Sequence, residues 1–185
     1  MTIDVLVNNA GFGQFGSFVH SDFAKTMEMV NLNVITLVTL TSLFVKDMLS
    51  QNQGQILNIA STAAFQPVPN FAVYGATKAF VLSFTEALHY ELKDTNISVS
   101  ALCPGPTSTG FAQAADMKDS KLFKSDVMDA KTVAQIGYEG LQKNKMTVVP
   151  GFKNKILAVA SNMTPSRDLL VWVAGKMSST KSSEY

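Results

Sequence analysis

The chain has 185 residues, a net charge of +1 and 46% hydrophobic residues, enough apolar material for one domain around a single core and too much for a disordered chain. Near-neutral charge without a long basic block excludes a charged face for phosphate backbones, so no nucleic-acid partner is expected. The single cysteine, Cys103, cannot form an internal disulfide and lies in an apolar run, which suits an inert buried thiol in a reducing compartment.

Ile3 to Val7 is a short β-branched run interrupted by Asp4 and ended by Asn8-Asn9-Ala10-Gly11, the pattern of a buried strand entering a turn. From about Asp22 to Gln51 apolar residues recur at helical spacing, with Ser21 or Asp22 placed to cap the start and Gly54 to stop the helix. Gln55 to Ala60 is a second strand. A loop holding Pro67 and Pro69 precedes a helix predicted from about Phe71 to Lys93. Ile97 to Cys103 is a third strand, broken by Pro104-Gly105-Pro106, and Thr147 to Val149 is a fourth. Thr107 to Asp129 is poorly periodic and polar, as expected of a mobile flap, and the tail from Ser178 to Tyr185 is expected to fray.

Strands alternating with long helices predict an α/β fold: three layers, a parallel sheet flanked by helices, with ligands beyond the carboxyl ends of the strands. Asn9, Ser61 and Pro104-Gly105 all fall at such ends. Tyr74-Gly-Ala-Thr-Lys78 falls on the helix predicted from about Phe71 to Lys93, where Tyr74 and Lys78 at i and i+4 project from one face. A lysine charge beside a phenol favours the phenolate, so this pair with the Ser61 hydroxyl suits proton exchange in carbonyl–alcohol chemistry. A Tyr-x-x-x-Lys pentapeptide alone carries little weight, and Ser61 alone could simply turn the chain after its strand. Their joint placement at one sheet edge is what points to an enzyme.

With these pieces in order, the chain resembles the short-chain dehydrogenase/reductase family, and in particular its broad bacterial-type subgroup of varied substrates. NNAG at Asn8 to Gly11, an asparagine in the long helix, ILNIAS ending in Ser61, YGATK, and CPGPTST at Cys103 to Thr109 follow the family's order. The resemblance implies an NAD(P)-dependent oxidoreductase of Rossmann-like fold, interconverting an alcohol and a ketone or aldehyde. It implies Tyr74 as proton donor or acceptor, Ser61 as the group that polarises the substrate oxygen, and Lys78 as the holder of the nicotinamide ribose. Asn33 matches the helix asparagine that helps position a relay water, with Asn31 as fallback. Asn9, Pro104, Gly105, Thr107 and Thr109 match cofactor-contacting positions. NAD and NADP stay open as alternatives, and a homo-oligomer is expected.

The resemblance implies one domain over residues 1–177, the C-terminal two-thirds of the family's fold, with 178–185 a disordered tail. The family's glycine-rich first turn is not found, so an N-terminally truncated domain is expected. A non-catalytic remnant or interaction domain is the alternative reading. GFGQFG at Gly11 to Gly16 follows a strand, but Ser17 to His20 separates it from the next helix start, and a flexible substrate-side loop is the expected role. His20 and His89 show no partner pattern for a metal, and none is expected. Phe12, Phe15, Phe65 and Phe71 flank strand ends and could line an apolar pocket. Ile156 to Met177 holds two apolar stretches split by Asn162 to Asp168, read as a helix pair that covers the pocket or a subunit contact, with a peripheral membrane surface as the alternative. No basic-headed leader and no uninterrupted apolar run of about 18 residues is found, so a cytoplasmic protein is expected.

Overall fold

The computed structural model describes residues 3–111, 115 and 127–178. Four strands, β1 (Val5–Asn8), β2 (Gly54–Ile59), β3 (Ile97–Leu102) and β6 (Thr147–Val148), form a parallel sheet in the order β1-β2-β3-β6. Two further strands of two residues each, β4 (Thr107–Ser108) and β5 (Met128–Asp129), pair with each other. Sequence periodicity missed this pair because two residues are too few to show an alternation.

The helices divide between the two faces of the sheet. Helix α1 (Phe23–Gln51) and helix α2 (Ala72–Glu91) cover one face, while α3 (Ala130–Gln142) covers the other. Strand geometry sends alternate side chains to opposite faces. Ile56 and Val99 therefore pack with Met48, Leu92 and Ile97 under α1 and α2, whereas Leu57 and Leu102 pack with Val133, Leu141 and Val148 under α3. Val5 and Val7 of the edge strand β1 point away from α1 and are partly exposed, at 39% and 49%. Two C-terminal helices, α4 (Phe152–Met163) and α5 (Arg167–Ser178), complete the described chain.

Asp22 caps α1, accepting hydrogen bonds from the Ala24 and Lys25 N–H groups at 2.8 and 3.3 Å. The helix stops at Asn52, which takes the left-handed conformation at φ 49°, so Gly54 is free to begin β2 and is not the stop. By length and composition α1 is apolar enough to cross a membrane, with 29 residues and a mean hydropathy of 1.5. Its Met29, Asn33, Leu37, Thr41 and Met48 are buried within the fold.

In α1, residues Asn31–Thr36 wind as a wide π-type turn, and Thr36 Oγ1 donates to the Asn31 carbonyl at 3.0 Å. A turn of this kind re-aims the following side chains. Here Asn33 is buried and Ile35 is exposed. A buried polar chain crosses the layers: Asn8 Nδ2 donates to Thr41 Oγ1 and Asn58 Oδ1 at 3.0 and 2.8 Å, and Asn58 Nδ2 donates to Thr85 Oγ1 at 3.0 Å. It ties β1 and β2 to both helices through the Asn8 and Asn58 amides, while Asn8 Oδ1 is buried without a hydrogen-bond partner.

Candidate active site

Three strand-exit segments meet at the carboxyl edge of the sheet around a cavity of about 1010 Å³. Asn9 and Gly11 follow β1, Ser61 follows β2, and Pro104 and Gly105 follow β3. Tyr74 and Lys78 reach the same cavity from the first turns of α2, and Thr107 and Thr109 from the segment beyond the Pro-Gly turn. The fold thus brings together every sequence-predicted site residue except Asn33, which sits behind the wall. Phe71, Val68, Phe111, Leu157 and Ala158 give the cavity an apolar side, and Ser161 Oγ meets Gln66 Oε1 at 3.1 Å across its rim.

Tyr74 is buried, with its ring stacked on Phe71 at 4.2 Å between centroids and tilted against Phe111 at 5.3 Å. Burial pushes its phenol up to about 12, against a hydrogen bond with the Ser61 side chain that pulls it down. Lys78 is buried too, and desolvation lowers its ammonium to about 8. Its Nζ donates to the Ile59 carbonyl at 2.7 Å and lies 5.8 Å from the centre of the Tyr74 ring. The expected lowering of the phenol by the lysine charge is therefore outweighed. An apolar cage of Phe71, Phe111 and Tyr74 itself favours the uncharged form, while the ammonium is drawn to a backbone carbonyl. The Cys103 thiol, at the end of β3 and fully buried, is likewise pushed up to about 12, chiefly by burial, as expected of an inert core cysteine.

Three hydrogen bonds hold the Asn33 side chain. Its Oδ1 accepts from the Phe12 N–H at 3.1 Å, and its Nδ2 donates to the Phe12 carbonyl at 2.9 Å and to Thr77 Oγ1 at 3.1 Å. Thr77 Oγ1 in turn donates to the Tyr74 carbonyl at 2.8 Å. One amide thus clamps the NNAG turn to the backbone that carries Tyr74. Gly11 packs so tightly here that a Cβ on it would come within 2.8 Å of Asn33 Oδ1. Asn33→Ala is expected to cost about 1–3 kcal/mol, because it leaves buried polar groups of Phe12 and Thr77 without partners. Urea unfolding at constant m measures it, and an unchanged midpoint would contradict the clamp.

The glycines of GFGQFG do not open a helix. The segment runs without regular structure into a short 3-10 turn at Phe18–His20. Gly13 lies against Phe71, where a Cβ would come within 2.5 Å of the ring. Gly13→Ala is expected to shift Phe71 off Tyr74 and to destabilise by about 1–3 kcal/mol, read as a lowered thermal midpoint.

Of the four phenylalanines expected at the pocket, only Phe71 lines it. Phe12 and Phe15 pack behind it around Met29, and Phe65 joins the core beside Leu37 and Val81. Gln66, Phe111, Asn154, Leu157 and Ser161 line the cavity and were not singled out from sequence. The inward spacing of Asn154, Ala158 and Ser161 on a helical stretch was the one signal available for α4. The proposed flap falls largely on 112–114 and 116–126, and the proposed frayed tail on 179–185, outside the described residues.

Residues 1–120 match the family model for short chain dehydrogenases. A ketoacyl reductase, HetN, of Nostoc sp. is 33% identical over 182 residues, covering 96% of this chain and 59% of that protein. A 17-beta-hydroxysteroid dehydrogenase type 3 of Mus musculus is 32% identical, covering 100% of this chain and 59% of its own length. The solved structure of a short-chain dehydrogenase from Sphingobium yanoikuyae in complex with NADPH superimposes with a TM-score of 0.75 at 26% identity, over 89% of this chain and 67% of that one. The chain spans about three-fifths of the length of these two curated relatives.

Proposed function

The chain belongs to the short-chain dehydrogenase family, and on that premise we propose that the protein is an NAD- or NADP-dependent oxidoreductase interconverting an alcohol and a ketone or aldehyde. One observation carries this reading: the Tyr74 phenol, the Ser61 hydroxyl and the Lys78 ammonium line one cavity at the carboxyl edge of a parallel sheet. The names of the relatives, a ketoacyl reductase and a hydroxysteroid dehydrogenase, and the NADPH bound by the structural neighbour agree with it.

The residues present suit the nicotinamide half of such a cofactor. Lys78 uses one N–H on Ile59 and has two more to offer ribose hydroxyls. Gly11, crowded by Asn33 and Lys78 where a Cβ would sit, presents backbone rather than a side chain to the cavity. Asn9, Lys78, Pro104, Gly105, Thr107 and Thr109 would hold this half. When bound, the nicotinamide supplies a hydride to the carbonyl carbon or takes one from the alcohol carbon.

The chain's own side chains handle the oxygen and its proton. Ser61 donates to the substrate oxygen and stabilises the negative charge that builds there during reduction. Tyr74 delivers its phenolic proton to that oxygen, and in the reverse direction takes it back. Asn33 keeps Tyr74 and the NNAG turn in register without touching the reacting atoms. The apolar wall of Val68, Phe71, Phe111 and Leu157 favours a hydrophobic substrate.

With its phenol at about 12, Tyr74 holds its proton through the neutral range, so the site is set as an acid for carbonyl reduction. Alcohol oxidation is expected to speed up as pH rises across that range, while reduction gains nothing from the same rise. Initial rates in both directions, followed by nicotinamide absorbance with a panel of apolar ketones and alcohols, test this. Absence of both cofactor binding and turnover in the wild-type protein would favour a non-catalytic interaction domain.

A further inference from the structure

We propose that α4 and α5 seat the protein on an anionic lipid surface. Phe152, Ile156, Val159 and Met163 recur at i, i+4, i+7 and i+11 of α4, so they form one stripe along the helix. All four face outward, with Phe152 78% and Met163 76% exposed, while Ala158 on the opposite side is buried. On α5, Leu169, Trp172 and Val173 are exposed, and Leu170 and Ala174 are buried. Two consecutive helices therefore each turn an apolar face away from the fold.

Charge decides what covers this face. Over 152–178 the basic residues Lys153, Lys155, Arg167 and Lys176 stand against one acidic residue, Asp168. Lys155 borders the stripe of α4 away from the cavity, Lys153 lies on its cavity side, and the Lys176 ammonium lies 4.0 Å from the centre of the Trp172 ring on the outer side of α5. An apolar stripe bordered by lysines, with a tryptophan beside a cation, matches the boundary between acyl chains and acidic headgroups. A second copy docked about a two-fold axis would instead set this basic border against itself.

The inner side of α4 also lines the cavity, through Asn154, Leu157 and Ser161. A seated α4 would put the cavity wall and the lipid surface on opposite sides of one helix. The proposal itself does not depend on the catalytic reading, and its test needs no turnover.

Trp172 is the protein's one tryptophan, so its emission reports directly on this face. Phosphatidylcholine vesicles containing about 30% phosphatidylserine are expected to shift that emission to the blue, and lipids brominated along the chain to quench it. Each lysine removed, as Lys155→Gln or Lys176→Gln, should lower partitioning roughly fivefold. Ile156→Ser with Val159→Ser should abolish it while leaving far-ultraviolet circular dichroism unchanged, since both side chains are exposed. Unaltered Trp172 emission, equal partitioning onto pure phosphatidylcholine, or a dimer dissociated by the serine pair would each overturn the proposal.

Discussion

Tyr74→Phe is expected to lower kcat for carbonyl reduction by about 10²–10⁴-fold, the range supplied by a positioned acid or base. The substitution removes one hydroxyl near Ser61 and keeps the ring that stacks on Phe71 at 4.2 Å. Stability should fall by no more than about 1.5 kcal/mol, the net worth of one hydrogen bond. KM should move little, because the phenol acts on a proton in the transition state more than on ground-state binding. The measurement is steady-state kinetics beside thermal unfolding of the same preparation. Near wild-type turnover in a folded Phe variant would remove Tyr74 from the mechanism.

Lys78→Met is expected to separate stability from activity. Burial lowers the ammonium from its ordinary 10.5 to about 8. Below about pH 8 the folded protein carries the buried charge and bears its full cost. Between about 8 and 10.5 the unfolded chain still binds the proton while the folded chain has released it, so stability rises with pH; above 10.5 the cost is gone. The increment is of order 3 kcal/mol. Tyr74 and Cys103, whose raised values act in the opposite sense at higher pH, are present in both proteins; losing the Lys78 charge pushes the Cys103 thiol further up, so both folded proteins keep it protonated through this window. Unfolding free energies of wild type and Lys78→Met from pH 7 to pH 11 should therefore diverge through this window, the variant lacking the rise. Parallel curves would contradict the buried charge. Turnover should drop together with cofactor affinity, since the ribose donor is lost. A variant less active yet without the wild type's penalty at neutral pH would mark Lys78 as kept for chemistry at the expense of stability.

Several features were legible in residue order alone. The parallel α/β fold followed from apolar runs at Ile3 to Val7, Gln55 to Ala60 and Ile97 to Cys103 alternating with helical periodicity, and the observed strands differ from these by one or two residues at their ends. Asn9, Ser61, Tyr74, Lys78 and Gly105 were placed near one another because a parallel sheet delivers all its strand exits to one edge. Helix α3 was not foreseen, although its amphipathic spacing is regular, because it directly follows the polar, aperiodic stretch before Asp129.

What the sequence by itself determined was the set of groups at the carboxyl edge of the sheet, because strand alternation and the i, i+4 spacing of Tyr74 and Lys78 are properties of the chain read locally. What only the tertiary structure decided was their state. Asn33 became a clamp because a wide turn in α1 aimed it at Phe12 and Thr77, residues 21 and 44 positions away. The phenol was driven up by an apolar cage assembled from Phe71, three residues before it, and Phe111, far from it. Charge and spacing can be read along a chain, but desolvation and hydrogen-bond partnership depend on which distant segments close over a group, and those are fixed only when the chain is packed.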